Sequence, residues 1–196
     1  MMKNKWEDHY TRKARDEKWL ARSVYKLQEI DQKFKLIRKG SRILDLGCAP
    51  GSWSQYGIKR VGKQGEVIGI DCTQPRISTL PNFRFISADV LDINIKWLKN
   101  ETGALDLVLS DLAPMTTGIK DTDINRSMIL ATLASEIALE ILKNKGCFVC
   151  KIFEGNEIKS FKTDMKKYFR QIRLLKPQST RKRSREIYLI GIDFTG

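Results

Sequence analysis

Residues 44–51, LDLGCAPG, set an acid, Asp45, just ahead of a turn through Gly47, Pro50 and Gly51 that leads into residues able to open a helix. Glycines let the backbone pass close to a ligand, and a proline stiffens the turn before a helix. A phosphate-cradling fingerprint would read G-x-G-x-x-G over a bare helix N-terminus. That pattern is broken here, and Asp45 would repel a phosphate and attract an ammonium or sulfonium. About twenty residues on, Asp71 closes the strand-like VIGID, where an acid typically hydrogen-bonds ribose hydroxyls. Asp89, at the end of FISAD, is placed for an exocyclic adenine amine. Single acids at strand ends often only cap the next helix. Three at successive strand ends fit a cationic nucleoside without phosphates, S-adenosylmethionine. Trp53 reads equally as a wall of that pocket or as core.

These residues need a scaffold that brings strand ends together. The chain reads as helix over 7–20 and 22–34, strand 42–46, helix 52–61, strands 66–71 and 83–87, helix 92–100, strand 105–110 and helix 124–143. Strand 147–153, helix 157–169 and strands near 171–176 and 186–193 complete it. This alternation predicts an α/β fold, Rossmann-like, with a mostly parallel seven-stranded sheet and helices on both faces. EVIGI, LDLVLS and CFVCKIF are near-continuous apolar runs, as burial on two faces demands. The last two strands, separated by a basic loop, suggest an antiparallel hairpin at one edge. Such a sheet places its ligand at the carboxyl ends of its strands. A chain of 196 residues is most simply one domain, here with a basic helical N-terminal extension over about 1–40.

The net charge of +13 is concentrated. Residues 1–42 hold 13 Lys/Arg against 6 acids and residues 159–185 hold 11 against one, while the remainder is mildly acidic. Two basic segments flanking an acidic middle suggest two arms of one polyanion-binding surface. The CFVC spacing at 147–150 lacks the second cysteine pair that zinc requires, since Cys48 and Cys72 stand alone, so no metal is expected. His9, the single histidine, reads as a surface residue. No apolar run reaches the roughly 20 residues of a membrane span, and the N-terminus lacks an apolar signal core. An intracellular protein is expected, cytoplasmic, nuclear or organellar, and working as a monomer.

The motifs RSVYKLQEI, LDLGCAPGSWSQ, GID, SDLAP, KIFEG and KPQSTRKRSREIYLI, in that order from about Arg22 to the C-terminus, resemble the FtsJ-type (RrmJ-type) ribose 2′-O-methyltransferases. The resemblance implies a Lys-Asp-Lys-Glu tetrad, which falls on Lys26, Asp111, Lys151 and Glu186. Moving a methyl group from sulfonium to a ribose hydroxyl needs no leaving-group acid, but the hydroxyl needs a base within about 3 Å. Lys151 is the candidate base, its pKa open to depression by burial or a second cation. Asp111 and Glu186 would position the lysines, with Asp111 also near the methyl-sulfonium group. Lys26 would orient the hydroxyl or steady the developing oxyanion. The loop 112–123 is a cover for the methionine end of the donor or an ordinary connection.

A 2′-hydroxyl exists only in RNA, so the chemistry and the basic arms imply the same partner. Arg12, Lys13, Arg15, Lys18 and Arg22 in front, and Arg181, Lys182, Arg183 and Arg185 behind, are the expected phosphate contacts. SDLAP and SREIYLI resemble the ribosomal branch more than the tRNA branch, which implies a uridine of large-subunit ribosomal RNA as target. A tRNA anticodon loop is the alternative. Two others are a non-catalytic RNA-binding assembly factor, disfavoured by the intact acids and tetrad, and a small-molecule methyltransferase, which has no use for two basic arms.

Overall fold

A computed structural model describes residues 9–77 and 80–196. The apolar runs form seven strands: β1 Arg42–Leu46, β2 Glu66–Asp71, β3 Phe83–Ser87, β4 Leu105–Ser110, β5 Leu142–Phe153, β6 Phe169–Leu175 and β7 Glu186–Phe194. They build one sheet in the order β3-β2-β1-β4-β5-β7-β6. β1 to β5 run parallel, and β7 is antiparallel to both of its neighbours. The helices are α1 His9–Asp16, α2 Val24–Phe34, α3 Ser52–Val61, α4 Ile95–Thr102, α5 Lys120–Ile141 and α6 Ile158–Met165.

Alternation along each strand sends neighbouring side chains to opposite faces. Leu44, Leu46, Ile68 and Ile70 pack on one face beneath α4, α5 and α6, where Leu98, Ala134, Ile137 and Phe161 meet them. Ile43, Val67, Leu109, Val149 and Ile190 pack on the other with Leu27 and Ile30 of α2 and Val61 of α3. Burial on both faces is why these strands are apolar throughout. Cys150 lies in the first core and Cys147 packs against the second, on opposite faces as their spacing requires. Among the described residues no group of His, Cys, Asp and Glu could hold a metal ion.

Several boundaries differ from the sequence expectation. The helix expected over 7–20 ends at Asp16, because Lys18 takes a left-handed φ of 59°, and residues 7 and 8 lie outside the described ones. The helix expected from 124 begins at Lys120, since Asp123 in its first turn accepts from Thr117 N and Oγ1 and ties the preceding loop. β5 starts at Leu142 rather than 147, pairing with Leu105 before a register shift. The helix expected over 92–100 is a 3-10 turn, Val90–Asp92, followed by α4. The helix expected to 169 stops at Met165, and Phe169 instead opens β6, its ring against Phe148 and Phe194.

The terminal hairpin forms, with β6 at the sheet edge and β7 inserted beside β5. This insertion serves the site. An antiparallel β7 begins where the parallel strands end, so Glu186 pairs with Phe153 and Tyr188 lies opposite Lys151.

Candidate active site

Four of the polar side chains at this end of the sheet form two linked pairs. Lys151, near the end of β5 with its side chain 4% exposed, donates from Nζ to Asp111 Oδ1 at 3.0 Å and to the Asp111 carbonyl at 2.5 Å. Asp111 follows β4 directly. Lys26, from α2, pairs with Glu186 Oε2 at 2.6 Å. Tyr188 joins them by donating its phenol proton to Asp111 Oδ1 at 2.6 Å, beneath Lys26, whose Nζ lies 5.9 Å from the Tyr188 ring centroid. Period-two alternation explains the set: Glu186 and Tyr188 share one face of β7, Lys151 sits opposite Tyr188, and that face is covered by α2. Burial alone would raise the Asp111 carboxyl, but Lys151, Lys26 and the Tyr188 hydroxyl together hold it below the usual carboxylate range. The same burial, with Asp111 beside it, pushes the Tyr188 phenol well above its ordinary value, so it stays a proton donor.

Beside this cluster a cavity of about 420 Å³ opens over the ends of β1, β2 and β3. Gly47, Asp71 and Asp89 line it, with apolar walls from Leu91, Leu112, Pro114 and Ile129. Asp71 Oδ2 accepts from Ala49 N at 3.0 Å and Oδ1 from Thr73 N at 2.8 Å; Asp89 Oδ1 accepts from Leu91 N at 2.9 Å. A carboxylate offers about four acceptor positions, so both keep capacity for a ligand.

The remaining residues expected at the pocket lie behind its lining. Asp45 is fully buried, its Oδ2 held by Ser54 Oγ at 2.6 Å and its Oδ1 without a partner among the described residues. Burial drives its carboxyl up to about 7, further raised by Asp111 and Asp71 and opposed by Ser54. Pro50 and Gly51 shape the turn: Gly51 has φ 111° and lies against Leu20, Pro75 and Ile77, where a Cβ would meet atoms at 3.1–3.3 Å. Trp53 is buried, donates Nε1 to the Ser23 carbonyl at 2.8 Å and packs on Tyr188 at 5.7 Å between centroids, so it supports the tetrad from below.

The two basic segments meet. Arg22 donates to the carbonyl of Ser179 and stacks over Tyr10 at 5.4 Å, while Glu29 accepts from Gln178 N at 2.6 Å and Ser179 N at 2.9 Å. Burial first, then Arg181, lowers the Arg22 guanidinium, and Glu186 opposes them. Arg12, Lys13 and Arg15 are exposed on α1 and Lys18 just after it; Arg181, Lys182, Arg183 and Arg185 are exposed in the connection from β6 to β7. Three residues went unread in the sequence. Tyr188 and Ser54 look like ordinary core-strand and helix residues, and Glu29 like a solvated helix acid; only the Glu186–Tyr188 spacing of two signalled a shared face.

The FtsJ-like methyltransferase pattern matches residues 19–194. A protein of Bdellovibrio bacteriovorus named ribosomal RNA large subunit methyltransferase E is 48% identical over 94% of this chain and 95% of its own. One of the same name from Desulfatibacillum aliphaticivorans is 47% identical over 96% and 91%. In three dimensions, the crystal structure of a Plasmodium falciparum protein assigned as a ribosomal RNA methyltransferase superposes with TM-score 0.80 at 31% identity, over 91% of this chain and all of that one. The open sheet with its cavity at the strand ends is that of a methyltransferase. The chain belongs to the FtsJ-like methyltransferase family.

Proposed function

We propose that this methyltransferase moves the methyl group of S-adenosylmethionine to a ribose 2′-hydroxyl of large-subunit ribosomal RNA, with a uridine as the expected target. The observation that carries the reading is the convergence of Lys151, Asp111, Tyr188, Lys26 and Glu186 at the strand ends, next to an apolar cavity bearing two carboxylates. The donor set fits the cofactor. Asp71 suits ribose hydroxyls, Asp89 an adenine amine, and the apolar walls an adenine face. Asp45, with a buried Oδ1 that has no partner among the described residues, would add negative potential once a nearby cation favours its ionised form. When bound, the donor would supply an electrophilic methyl group and leave as a neutral thioether.

The protein must then handle one proton. In its neutral form Lys151 Nζ keeps two N–H bonds for the Asp111 oxygens and has a lone pair that would take the 2′-hydroxyl proton. Asp111, kept ionised by its neighbours, fixes that amine through two oxygens and is itself fixed by Tyr188. Lys26, held by Glu186, supplies a positive charge for the oxygen as its electron density rises. The joined basic segments supply phosphate contacts around this end of the sheet. Relatives 47–48% identical that bear a large-subunit ribosomal name favour ribosomal RNA over tRNA.

The test is to incubate the protein with labelled S-adenosylmethionine and, separately, ribosomal subunits, ribosomal RNA, tRNA and small-molecule extracts, then to digest the RNA with alkali. Label in an alkali-resistant dinucleotide from large-subunit RNA supports the proposal. Label only in tRNA moves it to the alternative target, and label only in small molecules overturns it.

A further inference from the structure

A second groove lies on the opposite flank of α2 from the helix core, between α1, α2 and the residues after β6. Its volume is about 630 Å³, within the range of small-ligand sites. Tyr25, Gln28, Gln32 and Lys33 line it from α2, Tyr10 and Lys13 from α1, and Lys176 and Gln178 from the far wall. Positions 25, 28, 29 and 32 fall on one stripe of a helix, so α2 turns Lys26 to the tetrad and this neighbouring stripe to the groove. Tyr25 is buried and packs against the half-buried Tyr10 ring at 5.4 Å between centroids, the two rings tilted by 46°, and Lys13 Nζ sits 4.8 Å over Tyr25.

The chemistry of this lining is that of a nucleotide site. A tyrosine face offers a stacking platform worth about 1–3 kcal/mol per base. The amides of Gln28 and Gln32 each present a donor and an acceptor, matching a base edge, and neither is spent on another side chain among the described residues. Lys33 gives the rim positive charge, while Lys13 and Lys176 share theirs with Glu17 at 3.8 Å and Glu154 at 3.1 Å. The one acid in the lining, Glu29, is turned to the backbone of Gln178 and Ser179, where it closes the far wall. Arg22 joins groove and tetrad: it touches Tyr10 and the Ser179 carbonyl and feels the charge of Glu186. Along α2 the groove runs from Tyr25 to Lys33, roughly 12 Å at 1.5 Å per residue, room for a nucleotide or two.

We propose that this groove binds an unpaired nucleotide of the RNA substrate flanking the methylated one, its base on Tyr10 and its edge read by Gln28 and Gln32. The inference rests on the RNA reading above. It makes α2 a ruler, with the reacting hydroxyl at Lys26 and a flanking base on the adjacent stripe, so sequence preference beside the target is set here.

The test compares KM and kcat on large-subunit RNA for wild type, Gln28→Ala/Gln32→Ala, Tyr10→Phe and Tyr10→Leu, with S-adenosylmethionine affinity as the check on folding. The double glutamine variant and Tyr10→Leu are expected to raise KM for RNA about tenfold with kcat and donor affinity unchanged, whereas Tyr10→Phe, which keeps the ring, stays within twofold. Unchanged KM in the glutamine variant and in Tyr10→Leu, with wild-type transfer to RNA intact, overturns the groove and leaves the RNA reading standing. Failure of the wild type to label any RNA overturns both.

Discussion

Lys151 owes its place to two oxygens of a single residue, and that residue to a third group, Tyr188. Such mutual fixing matters because a base must already be aimed when the hydroxyl arrives. Lys151→Ala removes the proposed proton acceptor while leaving the cavity lining untouched, so transfer is expected to fall at least about 10²-fold with donor affinity within a few-fold; single-turnover kinetics and calorimetry read the two separately. Asp45 carries a different consequence. Its folded pKa, about 7, lies above the ordinary carboxylate value, so the native state holds a proton that the unfolded chain has lost. The stability from that proton is full below pH 4 and disappears as pH rises through 7. Denaturation midpoints should therefore show wild type losing ground to Asp45→Asn between pH 4 and 7, by at most about 1.4 kcal/mol per pH unit; a difference constant with pH contradicts it. At this scale the sequence was partly legible. Acids at strand ends and the tetrad lysines announced themselves by motif, but Tyr188 and Ser54 did not, because a hydroxyl on a buried strand or helix has the same spacing whether or not it meets a carboxylate.

The strand-to-helix turn after β1 is the element on which the cavity depends. Gly47 holds φ 75°, and a Cβ there would lie 2.8 Å from Leu112 Cδ2, an atom of the opposite cavity wall. Gly47→Ala thus adds both left-handed strain and a collision, costing about 1 kcal/mol or more in stability and weakening donor uptake at least tenfold, measured by thermal unfolding and titration on the same sample. The sheet order explains why the elements could be read while some ends could not. Apolar runs covered on both faces mark strands unambiguously. The start of α5 depends on Asp123 reaching back to Thr117, and the start of β5 on pairing of Leu142 with Leu105, both tertiary events. Trp53 reads the same way: its sequence position suits a pocket wall and a core position equally, and only the Ser23 carbonyl and Tyr188 decide that it packs beneath the tetrad.

Over the whole molecule, the charge map becomes a surface because Arg22 and Glu29 on one side hold Ser179 and Gln178 on the other, some 150 residues away in sequence. The sequence showed two basic segments; their union needed the fold. Arg181 and Arg183 are exposed in that joined surface, so changing both to Ala should weaken RNA binding and reduce the slope of log K against log salt by roughly one to two; an unaltered slope would put the RNA elsewhere. Methyl transfer by this molecule requires the cavity at the ends of β1 to β3 to take a cationic methyl donor. Titration calorimetry of the folded protein with S-adenosylmethionine tests this most directly: one donor per chain is expected, with Asp71→Ala weakening uptake at least tenfold. Folded protein that releases no heat and binds no donor would contradict it.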